Sequence, residues 1–98
     1  MIWTWDPNKN RANVRNHGFD FESAQLVFMD EFAKTQPDPH TDGDRLQTIG
    51  VIGGATLFVV HTWPEFDVEA GDEIGRIISA RKATPRERRL YEEGKKRQ

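Results

Sequence analysis

Two runs rich in β-branched and aromatic residues, RLQTIGVIGG and TLFVVHTW, meet at Gly53-Gly54-Ala55. A glycine-rich junction between two such runs reads as a hairpin, because the tight turn needs backbone angles that glycine adopts without strain. A third strand-like run, IGRIISARKA, follows a short acidic stretch, PEFDVEAGDE, that reads as a loop. Short links between consecutive strands imply antiparallel pairing. That hairpin and its third strand dictate a sheet, and the rest of the chain must cover it.

The covering segments carry their own punctuation. MIWTW alternates Ile2 and Thr4 against Trp3 and Trp5, which reads as a short strand. In DPNKNRANVRNHG, Asp6 can cap a helix, Pro7 sits at its first position and Gly18 stops it. Its apolar content is only Ala12 and Val14, so it is expected to lie on a surface. Asp20 can cap a second helix, in which Phe21, Ala24, Val27 and Phe28 form one stripe. EFAKTQ reads as a short strand and PDPHTDGD as a loop. Thr84-Pro85-Arg86-Glu87 is a capping box, starting a last helix expected to run to about Gly94, with KKRQ as a frayed end. The expectation is a single α+β domain over residues 1–98. It has an antiparallel sheet of three to five strands, two N-terminal helices and one C-terminal helix.

Charge is unevenly divided. Residues 1–75 hold five Lys or Arg against thirteen Asp or Glu, and residues 76–98 hold nine against three. Such a split suggests an anionic partner for the basic end, or two halves that satisfy each other. There is no Cys, which excludes disulfide and thiolate chemistry and fits a reducing cytoplasm. The start lacks the pattern of a secretory signal, and the longest apolar run is far short of a membrane span. P-loop, GxGxxG, GxSxG, HExxH and Cys-based zinc patterns are all missing.

The basic end is RIISARKATPRERRLYEEG. Arg88 can pair with Glu92, and Arg89 with Glu92 or Glu93, each pair contributing roughly 0.2–0.5 kcal/mol. Arg76, Arg81, Lys82 and Arg86 are then left without a local acid. Arg suits bidentate phosphate contact, but composition alone leaves phosphate binding and a structural role equally open. Strict alternation sends Arg76 and Arg81 to opposite sheet faces. They share a site only through a bulge, or if Arg81 lies past the strand's end. His61, in FVVHTW, reads either as a half-buried structural residue or as an acid or base near neutral pH. Tyr91 reads as a docking residue or as a phenol beside the basic cluster. His17 reads as a helix-end residue, and Lys9 as a solvated cation on the first helix. His40, with Asp38, Asp42 and Asp44, reads as an exposed acidic loop rather than a hard-metal site.

Two stretches, WDPNKNRANVRNHGFDFESA (Trp5–Ala24) and RIISARKATPRERRLYEEG (Arg76–Gly94), together resemble the two signatures of the BrnT-type toxins. The resemblance covers about residues 3–94. It implies a RelE-like ribonuclease toxin of a type II toxin–antitoxin system that cuts RNA without a metal or cofactor and inhibits translation. It implies a cognate antitoxin, usually of ribbon-helix-helix type, that neutralises the toxin and represses the operon as a complex on DNA. Carried over by position, it places the active surface at Arg76 and Arg81, then Tyr91, His61 and Lys9; Lys82 and Arg86, left without a local acid, are further candidate RNA contacts. The chain departs from the pattern at residues 64–75, a longer and more acidic link, and at Gly75, where a bulkier residue is common. The competing reading is a non-catalytic module that binds nucleic acid or antitoxin.

Overall fold

The computed structural model describes residues 1–39 and 44–96. The elements run β1 (Ile2–Thr4), α1 (Pro7–His17), α2 (Phe21–Ala24), a 3-10 turn (Gln25–Met29), β2 (Lys34–Pro37), β3 (Arg45–Ile52), β4 (Ala55–Thr62), β5 (Glu65–Asp67), β6 (Asp72–Lys82) and α3 (Pro85–Lys96). The α+β class is as expected, but the sheet has six strands rather than three to five, because β5 adds to it. No helix among the described residues is long and apolar enough to cross a membrane. The loop containing His40 and Asp42 lies outside the described residues.

The hairpin pairs β3 with β4 from Arg45↔Thr62 to Ile52↔Ala55, turning on Gly53 at φ 58°. Sheet order is β1-β6-β4-β3-β2. Two expectations are corrected. The sheet is mixed, because β1 runs parallel to β6 in the register Trp3↔Gly75. The acidic link is partly strand: β5 pairs with the start of β6 through Phe66↔Glu73, so β6 begins at Asp72.

One sheet face packs on α2 and the 3-10 turn. Phe21, Ala24, Val27, Leu57, Val59, Ile77 and Ala80 bury there, with Trp3 and Phe28 against them. The stripe read from FESAQLVFM is therefore the core stripe, although its second half tightens into 3-10 geometry. The other face packs on α3 through Ile49, Phe58 and Tyr91. Asp6 and Asp20 cap their helices by accepting backbone N–H bonds, and Gly18 ends α1 at φ 80°.

As its thin apolar content implies, α1 lies on the surface. Its buried residue is Asn13, not Ala12 or Val14. β1 pairs with β6 only through Ile74, Gly75 and Arg76, so the edge of β6 beyond Arg76 would be bare. Asn13 fills that edge: Nδ2 donates to the Ala80 carbonyl at 2.8 Å, and Oδ1 accepts from the Ala80 N–H at 3.1 Å. A helix is thereby docked by the groups an edge strand must otherwise hide.

Candidate nucleic-acid interface

The strand β6 carries the arginines, and its irregularity decides where they point. Val60 pairs with Ser79, but the next residue, His61, pairs with Ile77. Ile78 is therefore the extra residue of a β-bulge. Partners across a ladder share a face. Ser79 thus faces the α3 side with Val60, and Arg81 with Phe58, while Ile77 faces the opposite core with His61. Arg76, one residue before Ile77, returns to the α3 side. The bulge cancels the odd spacing, and Arg76 and Arg81 lie on one face, about four strand steps or roughly 13 Å apart.

Arg81 is the most tightly held of these cations. Its Nη1 and Nη2 donate to the two carboxylate oxygens of Glu87 at 2.8 and 3.0 Å, and Nη1 also donates to the Lys82 carbonyl. Its guanidinium lies 4.1 Å from the centre of the Phe58 ring. The expectation that Arg81 lacks a local acid is therefore corrected. Glu87 serves two partners at once: Oε1 also accepts from the Thr84 N–H at 2.8 Å, closing the capping box whose other half is Glu87 N–H to Thr84 Oγ1. Partial burial raises the Glu87 carboxyl, but the Arg81 and Thr84 hydrogen bonds and the Arg81 charge outweigh it. The net shift is downward. Glu87 stays ionised, and a helix cap fixes an arginine beside an open cleft.

That cleft has a volume of about 470 Å³ and lies between the sheet and the start of α3. Gln36, Asp38, Gln47, Arg81, Thr84, Arg86 and Glu87 supply its polar lining. Farther along the same face, Arg45 pairs with Thr62, whose Oγ1 accepts from the Arg76 N–H at 2.9 Å. Arg45, Arg76, Arg81 and Arg86 thus border one strip of the sheet face that α3 leaves open. Among the described residues the ion pairs are Arg81–Glu87 and the Met1 amino group with Asp72. Arg45, Arg76 and Arg86 are in neither. Nor are Arg88 and Arg89, whose expected helical pairs do not form; exposed pairs gain little for the side-chain freedom they lose.

A model of the family described as "Ribonuclease toxin, BrnT, of type II toxin-antitoxin system" matches residues 5–87. The chain belongs to the BrnT toxin family. A search of curated proteins finds none that matches it. Membership in the BrnT family makes this a ribonuclease toxin with an RNA target and an antitoxin partner.

The remaining candidates of this BrnT toxin lie elsewhere. His61 is 3% exposed, on the face opposite Arg81. Trp3 and Phe28 meet it edge-on at 5.0 and 4.9 Å. Its Nδ1 donates to the Thr62 carbonyl at 2.9 Å, so in the neutral ring Nε2 accepts from Thr48 Oγ1 at 2.6 Å. Burial lowers its pKa, against the smaller opposing effect of the Thr62 bond. Tyr91 is buried, and its hydroxyl donates to Asp30 Oδ2 at 2.6 Å. Burial first, then Asp30, pushes the phenol up to about 12. Lys82 pairs with Leu57 and so takes the alternate side from Arg81. Lys9 is exposed on α1.

Arg45 and Glu87, with Gln36 and Gln47, are residues of this face to which the sequence patterns give no site role. Arg45 was legible by counting back from the Gly53-Gly54 turn, which sets it opposite Thr62. In sequence Glu87 reads only as a cap, and its bond to Arg81 shows only in the fold.

Proposed function

We propose that this BrnT toxin cleaves single-stranded RNA on the open face bordered by Arg76, Arg81 and Arg86, with the RNA's own 2′-hydroxyl as nucleophile and without a metal. The observation that carries the reading is the Arg81–Glu87 pair at the lip of the cleft. A guanidinium already posed for bidentate contact with a carboxylate presents the same fork to a phosphate. Negative charge develops on the phosphate oxygens in the transition state, and fixed cations there lower the barrier. Arg81 is assigned to the scissile phosphate, with Arg76 and Arg86 on neighbouring ones.

Arginine cannot take the nucleophile's proton. The geometry of His61 and Tyr91 supports a structural role for each: one is enclosed on the far face, and the other has its proton committed to Asp30. We assign the 2′-hydroxyl's proton to Glu87, whose oxygens touch the guanidinium that would hold the phosphate. The P–O5′ bond breaks as the P–O2′ bond forms, leaving a 2′,3′-cyclic phosphate, and the departing 5′-oxygen takes a proton from water. When a phosphate takes Arg81, one Glu87 oxygen is released toward the cleft, while Thr84 still holds the other. The antitoxin, of ribbon-helix-helix type by resemblance, would neutralise the toxin by covering this face, and the pair would repress its own operon in the cytoplasm.

The test is purified toxin with RNA in the presence of EDTA. Cleavage should survive chelation and fall by at least about 100-fold in Arg81→Ala, the scale of one lost transition-state contact. Glu87→Gln keeps the capping box and should bind RNA yet cut it poorly. Binding by the wild type with no product under any condition would favour the non-catalytic module.

A further inference from the structure

The cleft that holds Arg81 is also lined by Gln36 and Gln47, which the cleavage chemistry does not use. The register sets Gln36, Gln47, Val60 and Ser79 in one row across the sheet, on the face that carries Arg81. The two carboxamides are oriented from one fixed end. Gln47 Nε2 donates to Asp38 Oδ1 at 3.3 Å, and a carboxylate only accepts. The Gln47 oxygen is therefore left for Gln36, whose Nε2 donates to it at 3.1 Å. Gln47 is 8% exposed, whereas Gln36 is half-buried at the cleft. The chain of bonds ends at Gln36. Among the described residues, no hydrogen bond uses its Oε1 or its second N–H.

An acceptor and a donor on one carboxamide, in the same cleft as a phosphate-binding arginine, are the groups that read a base edge. Gln pairs with adenine through N6 and N7, and single-stranded RNA leaves such edges open. A side chain already held by its neighbours loses less freedom when the ligand arrives. We infer that Gln36 reads one nucleobase of the RNA, adenine by preference, and that Gln47 and Asp38 position it. This rests on the reading of the face as an RNA surface. Gln36 and Arg81 share one cleft, so the base belongs to a nucleotide at or beside the scissile bond.

The experiment maps the ends left when the full chain cuts RNA of random sequence in EDTA. It also measures binding to 2′-O-methyl oligonucleotides, which cannot be cleaved, that differ at one base. Wild type should favour adenine at one position by roughly 5- to 150-fold, the range of one bidentate base contact. Gln36→Ala should erase that preference and leave the slope of log affinity against log salt unchanged, because no phosphate contact is lost. Gln36→Glu, which accepts but does not donate, should move the preference toward cytosine, whose N4 amino group donates. Gln47→Ala should blunt the preference for adenine. A merely structural pair would lower the urea midpoint and keep the base profile of wild type. If Gln36→Ala keeps the wild-type preference, or if wild type shows none, base reading by Gln36 is overturned while the arginine face stands. Should Gln36→Ala fail to fold, an unshifted preference in Gln36→Glu overturns it equally. If the wild type binds no RNA even at low salt, the RNA reading of the face falls and base reading with it.

Discussion

Asn13 stands to Ala80 as a neighbouring strand would. Its carboxamide gives one donor and one acceptor to the two backbone groups that β6 turns away from β4. The Asn13 Nδ2 also donates to the Phe19 carbonyl at 2.8 Å, tying the end of α1 to the start of α2. Asn13→Ala would leave two backbone groups of Ala80 buried without partners, at about 1–3 kcal/mol for each. The expected loss is roughly 2–4 kcal/mol in urea unfolding. Asn13→Asp should fail similarly, because a carboxylate cannot donate to the Ala80 carbonyl. A loss under about 1 kcal/mol for both would show that water reaches this edge.

Gly75 and Trp3 are paired across the parallel ladder, and the indole lies over the glycine. A Cβ built at Gly75 would sit 2.4 Å from Trp3 Cζ3. That ring is itself stacked on Phe28, with centroids 4.0 Å apart, so it cannot withdraw freely. Gly75→Ala should therefore destabilise by about 1–3 kcal/mol, as overpacking does. Adding Trp3→Leu should recover part of the loss if the clash is the cause. Equal losses from the single and double variants would point to another origin.

The Asp30 carboxylate gathers three donors: the Tyr91 hydroxyl, the Phe32 N–H and the Val51 N–H. It thereby joins α3, β3 and the end of the 3-10 turn. Burial raises its pKa, but these bonds and the Lys95 charge bring it below 3.8. Tyr91→Phe removes one charge-assisted bond and should lower stability by about 1.5–3 kcal/mol. Cleavage by the folded fraction should be nearly unchanged. A variant that folds normally but loses turnover would return Tyr91 to the chemistry.

The pattern of what could be read from the chain follows the range of the interactions. Asp6, Pro7 and Gly18 around α1, and Thr84 with Glu87 at α3, act within a few residues of themselves, so their roles were visible. The Gly53-Gly54 turn likewise announced its hairpin. The parallel β1–β6 pairing, the role of Asn13 and the bulge at Ile78 depend on segments about 70 residues apart or on a ladder irregularity. No local periodicity encodes them. The arginine face needed all three: β1 and Asn13 fix the edge of β6, and the bulge turns Arg76 to the side of Arg81. Glu87 shows a different limit. A capping box explained it fully in sequence, which concealed its second partner.

His61 makes the fold sensitive to acid in a window of its own. The folded protein holds the ring neutral, buried edge-on against the stacked rings of Trp3 and Phe28, with Nε2 accepting from Thr48 and Thr48 joined in turn to Thr35 at 2.8 Å. Its folded pKa is below the ordinary 6.5, chiefly through burial. In the unfolded chain the ring titrates near 6.5, so below that pH the unfolded state binds the extra proton. Stability should be complete above about pH 6.5 and should fall as pH drops below it, levelling once the folded ring is protonated too. Asp30 and Glu87, whose folded pKa values lie below 3.8 and 4.5, add their own losses only at lower pH. Urea midpoints between pH 7.5 and 5.5 should therefore decline in the wild type. His61→Gln, which cannot titrate, should be less stable at pH 7.5 but should show a flatter profile. An unchanged slope in that variant would assign the acid sensitivity to other groups and remove His61 as its source.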